Sequence, residues 1–320
     1  MSVDSAVGSP PSSTAKGRVS PATFRWFALA AFVSMIATVL SGAAVRLTGS
    51  GLGCPDWPTC FKHQITRVSG YHSLIEYGNR MITVVITVVT LATFVAALLR
   101  ERRRRDLVAL SGILVLSIVA EALLGEAVVY SHLNPWLVSL HMILSLAMVV
   151  AAATLYHRSK YVYGPGAVAH VRDPHFLLVA RILWIPLAAT LLAGTVTTGA
   201  GPHAGGSMGQ DVARRLPVAF SSAAWIHSIS AVALISIVAG LLLAIWHSAA
   251  PAPLQLGVRR LFLISLAQGI VGAAQYWLHV PVLLVELHVL GAVSVTIGVT
   301  QFNLRQVARE RVAGTRRATA

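Results

Sequence analysis

The sequence predicts an all-α integral membrane protein, with eight transmembrane helices built as two tandem, pseudo-symmetric four-helix bundles. Three observations predict it. Only 11% of the 320 residues are charged while 56% are hydrophobic, where a soluble domain carries about 25% charge. Apolar runs of about 20 residues recur along the chain, the length that crosses a bilayer, without the ten-residue alternation of a β-barrel. The second half of the chain also repeats the first.

Taken in order, residues 1–23 are rich in Ser, Pro and Gly and read as a disordered cytoplasmic tail, not a cleavable signal peptide. Spans are expected near 24–46, 72–99, 107–130, 135–157, 177–199, 220–247, 258–278 and 281–303. They group into an N-terminal bundle (24–158), a cytoplasmic linker (159–176), a C-terminal bundle (177–304) and a polar tail (305–320). The net charge of +14 raises a nucleic-acid partner, which is excluded because the basic residues sit in short connections between apolar runs. Of the 25 Lys and Arg, all but Arg46, Lys62, Arg67, Arg80, Arg214 and Arg215 fall on one side. That bias places both termini in the cytoplasm of a cell-membrane protein whose surroundings are lipid.

The repeat is ungapped where it is clearest. "LLGEAVVYSHLNPWLVSLHM" (123–142) aligns with "IVGAAQYWLHVPVLLVELHV" (270–289), matching Gly125 with Gly272, His132 with His279 and His141 with His288. "RLTGSG" (46–51) resembles "TTGAGP" (197–202), and "EYGNRMITVVI" (76–86) matches "AWIHSISAVAL" (224–234). Four spans per half restore the starting orientation, so the halves are parallel copies about an axis along the membrane normal.

Depth gives the histidines their meaning. His227 and His288 each lie about two turns inside a span that starts on the external side, at about 10 Å depth. Two imidazoles on separate helices at one depth can ligate a haem iron from both faces; the plainer alternative is a pair of interhelical hydrogen-bonding residues. In the first half His141 matches His288, but Asn79 stands where His227 does, and an amide is a poor iron ligand. One turn before Asn79, on the same face, comes Glu76, matched by Ala224. A carboxylate within a span is costly and marks function by default. One half reads as a permanent cofactor site and the other as a reactive one.

Arg80 can pair with a haem propionate or snorkel at a helix start. His132 and His279 fall in external turns. His203, in "GAGPHAGG", lines an external loop, and Glu121, Glu126 and Glu286 lie in or near spans without a catalytic assignment. Cys54 and Cys60 enclose "PDWPT" in the external loop 47–71, where oxidising conditions and a proline-set reversal favour a disulfide. Two free thiols, or a metal site completed by His63, is the other reading.

"RLTGSGLGCPDWPTC", "EYGNR", "LNPWLVSLH", "TTGAGPHAG" and "ELHVLG" together resemble, in order, the signatures of the haem A synthase family. "EYGNR" and the long polar tails are similar to its actinobacterial branch. The resemblance implies oxidation of the C8 methyl of haem o to a formyl group, giving haem A for terminal oxidases. It implies a haem b held by His227 and His288, and haem o as substrate in the first half with His141 on its iron. Glu76 is then the catalytic residue, and Cys54 and Cys60 match the family's external pair. Haem o synthase and terminal-oxidase assembly are the implied partners, and the reading leaves room for a homo-oligomer. Asn79 departs from the commoner pattern, in which a histidine follows the glutamate by three residues.

Two rivals remain. A di-haem b-type electron carrier linked to quinone needs two ligand pairs, against which Asn79 argues. A haem transporter or chaperone needs an exit path, and Glu76 beside a weakly ligating site favours chemistry instead.

Overall fold

In the computed structural model the described residues are 18–61, 70–161, 168–171, 174–206, 213–248 and 250–310. Helices α1 (Pro21–Leu47), α2 (Tyr71–Leu98), α3 (Arg105–Tyr130) and α4 (Pro135–Ser159) build the first half. Strand β1 (Val168–Val171) leads into α5 (Pro174–Ile182), α6 (Trp184–Ala200), α7 (Phe220–Trp246), α8 (Ala252–Trp277) and α9 (Val282–Arg305). Strand β2 (Val307–Glu310) follows and pairs antiparallel with β1. Among the described residues eight spans are long and apolar enough to cross a membrane, α5 and α6 together forming the fifth, Pro174–Ala200.

Local chemistry sets the helix ends. The Ser20 hydroxyl accepts from Thr23 N–H at 3.1 Å and Pro21 opens α1, its missing N–H costing nothing in the first turn. Asn134 and Pro135 do the same for α4. The fifth span breaks at Leu183 because Pro186 offers no N–H to the Ile182 carbonyl and crowds it.

Parts of the expected tails and linker fall within the described residues. Arg18–Ser20 are described, Val19 bridges to Arg100 through Val19 N–H to Leu99 C=O at 3.0 Å, and β1 and β2 join the linker to the C-terminal segment. The seventh span starts at Ala252 and not at 258, since Pro251 caps it and Pro253 fits its first turn.

Each half is a four-helix ring. In the first, α1 packs on α2 and α4, and α3 on α2 and α4; in the second, α7 packs on α6 and α8, and α8 on α9. The halves meet through α4 against α9, flanked by α1 against α9 and α4 against α6. Since α1 corresponds to α6 and α4 to α9, the flanking contacts exchange under the repeat.

The large side chains of each core gather toward the end that carries the termini. Phe24, Leu107, Leu114, Met148 and Leu155 are fully buried in the first half, as are Leu183, Val238, Ile245 and Leu261 in the second. Leu116, Ile185 and Trp246 are more than two-thirds exposed, as lipid-facing positions are. Toward the opposite end the helices carry the polar residues singled out above, beside a smaller apolar cluster of Ala200, Leu216 and Ala223.

The turns repeat down to the backbone. His132 and Leu133 (φ 52° and 59°) and His279 and Val280 (both φ 61°) adopt the left-handed conformation at matched positions. Each pair ends its helix with the same bonds: Leu133 N–H to Val128 C=O, and Val280 N–H to Gln275 C=O. A β-branched residue at positive φ is strained. His203 Nε2 donates to the Val280 carbonyl at 2.8 Å and braces that turn.

Candidate haem-binding sites

In the second half the candidate ligands His227 and His288 lie on α7 and α9, diagonal in the ring. The His227 and His288 rings face each other with centroids 5.9 Å apart and planes at 79°. An imidazole nitrogen binds a transition metal at about 2 Å. With about 1 Å from nitrogen to ring centre on each side, two axial ligands place their centroids about 6 Å apart. Small residues make the approach possible. A Cβ on Gly194 of α6 would stand 3.1 Å from His227 Cε1, and one on Gly272 of α8 would stand 3.0 Å from His288 Cε1.

The donor set suits a porphyrin iron. His227 Nδ1 lies 3.0 Å from the Thr190 carbonyl, which only accepts, so Nδ1 carries the proton and Nε2 offers its lone pair. His288 Nδ1 is buried with no hydrogen-bond partner, an imbalance the protein's own atoms leave uncorrected. Among the described residues no three His, Cys, Asp or Glu gather as a protein-only metal site requires. A haem supplies four nitrogens itself and asks the protein for one or two.

The first half places α2 and α4 in the same diagonal relation. His141 lies about two turns into α4, with the would-be Cβ of Gly125 3.8 Å from its Cε1, as Gly272 flanks His288. Its Nδ1 stands 2.5 Å from Glu121 Oε2, and Ser145 Oγ donates to Glu121 Oε1 at 2.5 Å. Asn79 is half-buried on α2, at the repeat position of His227.

Glu76, 4% exposed, is engaged from the loop side. Its Oε2 accepts the Cys54 N–H at 2.8 Å and its Oε1 pairs with Arg80 Nη2 at 2.5 Å. Arg80 Nη1 donates to the carbonyls of Asp56, Pro58 and Thr59 at 2.6, 3.2 and 3.1 Å. Cys54 and Cys60 form a disulfide (S–S 2.08 Å) and both are fully buried. Gly53 lies so close to α2 that a Cβ there would come 2.5 Å from the His72 backbone. The loop is therefore a roof, fastened to α2 through Glu76, Arg80 and Ser73, whose hydroxyl donates to the Gly53 carbonyl at 2.5 Å.

Of the residues singled out from sequence, His227 and His288 are brought together, and Glu76 and Arg80 meet each other. Arg80 turns to Glu76 and the loop, which neither the propionate nor the snorkelling reading anticipates; the i, i+4 spacing of the pair was the signal. Glu121 acquires a neighbour in His141, signalled only by its being a carboxylate inside a span. His132 and His279 are exposed, Glu126 is half-buried, and Glu286 has a carboxylate oxygen buried without a hydrogen-bond partner. His63 lies outside the described residues.

A family model described as cytochrome oxidase assembly protein (COX15-CtaA) matches residues 25–299. The chain is 33% identical over 132 residues to a protein of Lysinibacillus sphaericus (strain C3-41) named heme A synthase, covering 41% of this chain and 43% of that one. A protein of the same name from Listeria welshimeri is 32% identical over 117 residues (36% and 38%), and one from Alkalihalophilus pseudofirmus 31% over 124 residues (38% and 41%). In each case the matched stretch spans less than half of the relative's own length.

Proposed function

The chain belongs to the cytochrome oxidase assembly protein family COX15-CtaA, and from that membership we propose that it is a haem A synthase, oxidising the C8 methyl of haem o to a formyl group. The observation that carries the proposal is an asymmetry between two equivalent sites. One half faces His227 to His288 at 5.9 Å, while the other keeps His141 and has Asn79 at the repeat position of His227, with Glu76 one turn away.

His227 and His288 would hold a haem b, with Thr190 fixing the His227 ring through its Nδ1–H. That haem, when bound, supplies a one-electron relay toward an acceptor. The first half receives haem o as substrate, with His141 on its iron. Converting a methyl to a formyl group with one water as the oxygen source balances as R–CH3 + H2O → R–CHO + 4 H+ + 4 e−, the electrons passing to an external acceptor, and a base beside the carbon takes protons. Glu76 is that base. Its carboxylate is oriented by the Cys54 N–H and Arg80, and an ionised carboxylate has about four lone-pair sites, so capacity remains for a substrate proton. Arg80 steadies the carboxylate charge. The disulfide roof keeps bulk water from the reacting carbon. Both termini lie in the cytoplasm and the roof faces outward across the cell membrane. A haem o synthase supplies the substrate, and terminal-oxidase assembly takes the product.

The test is chromatography of haems extracted from membranes that express the chain alongside a haem o source. Haem A or its hydroxylated precursor is expected. Unchanged haem o, with the protein present at normal level, overturns the enzyme in favour of a carrier.

A further inference from the structure

Resting on the proposed function, we infer that Glu121 is a positioning residue that backs His141 as the single strong ligand of the substrate haem, leaving the Asn79 face of that iron open to a small exogenous ligand.

Glu121 is a carboxylate in the middle of a membrane span and is 6% exposed. A lone charge there is costly, so such groups take partners. Its partners come from one face of α4, one turn apart: Ser145 Oγ at 2.5 Å on Oε1, and His141 Nδ1 at 2.5 Å from Oε2. Neither His141 Nδ1 nor Glu121 Oε2 has a formed hydrogen bond. The approach is close but bent, and the inference requires the ring to turn until Nδ1–H points at the carboxylate. With Nδ1–H directed to a carboxylate, Nε2 becomes the ligating nitrogen and a stronger donor, the arrangement that orients metal-bound histidines generally.

The repeat isolates the difference. Glu121 corresponds to Gln268, whose Nε2 donates to the backbone carbonyl of His288 at 2.6 Å and leaves the His288 ring nitrogen without a partner. Ser145 corresponds to Ala292. The half with two imidazoles thus carries a neutral amide behind its ligand, and the half with one imidazole carries a carboxylate and a hydroxyl. Across the first-half bundle from His141 the repeat places Asn79, which cannot compete with imidazole for iron. One reinforced ligand with an open position opposite is how an iron site accepts a further ligand. Two like ligands close it.

Full-length protein purified from cells making haem o is reduced and read by resonance Raman in the iron–histidine stretching region, with carbon monoxide as the exogenous probe. That mode belongs to five-coordinate haem, so the bis-histidine haem of the second half does not obscure it, and its low-spin spectrum reports folding. Wild-type protein should show an iron–histidine mode and bind carbon monoxide at one haem. Glu121→Gln should lower the frequency and weaken first-half haem retention about 10–100-fold, with the second-half spectrum kept. Ser145→Ala, an alanine the repeat already carries at Ala292, should lower the frequency less and serves if Glu121→Gln does not fold. A frequency unmoved by either variant overturns the role of Glu121. A first-half haem that is six-coordinate and refuses carbon monoxide overturns the open face. No first-half haem in wild type overturns the proposed function as well.

Discussion

At position 79 the first half carries an amide where the second carries the His227 imidazole, and the two backbones are equivalent. Asn79→His should therefore place a ring opposite His141. The expected outcome is a second low-spin haem signal on titration of haem into the His288→Ala background, absent without the Asn79 change. No added low-spin haem would show that residue 79 does not face the iron. Glu76 differs in kind, because it fastens the roof and is also the proposed base. Glu76→Gln keeps an acceptor for the Cys54 N–H but loses the charge that pairs with Arg80. Haem A yield should fall by about 10²-fold or more, while haem b and membrane levels hold; undiminished haem A would remove Glu76 from the chemistry.

Helices α6 and α8 make room for the candidate ligands through missing side chains. Gly194 and Gly272 leave room for the His227 and His288 rings at 3.1 and 3.0 Å from where a Cβ would be. Gly272→Ala should displace the ring and broaden or weaken the low-spin haem b spectrum, at a cost of about 1–3 kcal/mol in stability; an unchanged spectrum and melting temperature would mean that the ring is not confined. The roof loop gives a separate reading. A membrane-impermeant thiol reagent should label Cys54 and Cys60 in spheroplasts only after reduction, and labelling without reductant would contradict the disulfide. Much of this architecture was legible in the sequence because hydropathy and an ungapped repeat are long-range, redundant signals. The equivalences of His141 with His288 and of Asn79 with His227 needed no coordinates. What was not legible depends on where side chains turn. Arg80 had several partners open to it, and Glu121 becomes meaningful only when α3 lies against α4. The break at Leu183 was announced by Pro186 but hidden by an uninterrupted apolar run.

For the molecule as a whole, the two halves should hold together without their covalent link. Genes cut within the linker and co-expressed should yield halves that co-purify and retain low-spin haem b, since α4 against α9 and its flanking contacts join them; halves that separate on mild extraction would show that the linker holds them. The form of that contact carries a further implication. A surface that meets its own counterpart, with flanking contacts that exchange under rotation, is the form of an isologous dimer. Two copies of one four-helix subunit would have to hold identical pockets. Joined in one chain, each half is free to carry its own residues, so Glu76 and Asn79 stand in one half where Ala224 and His227 stand in the other.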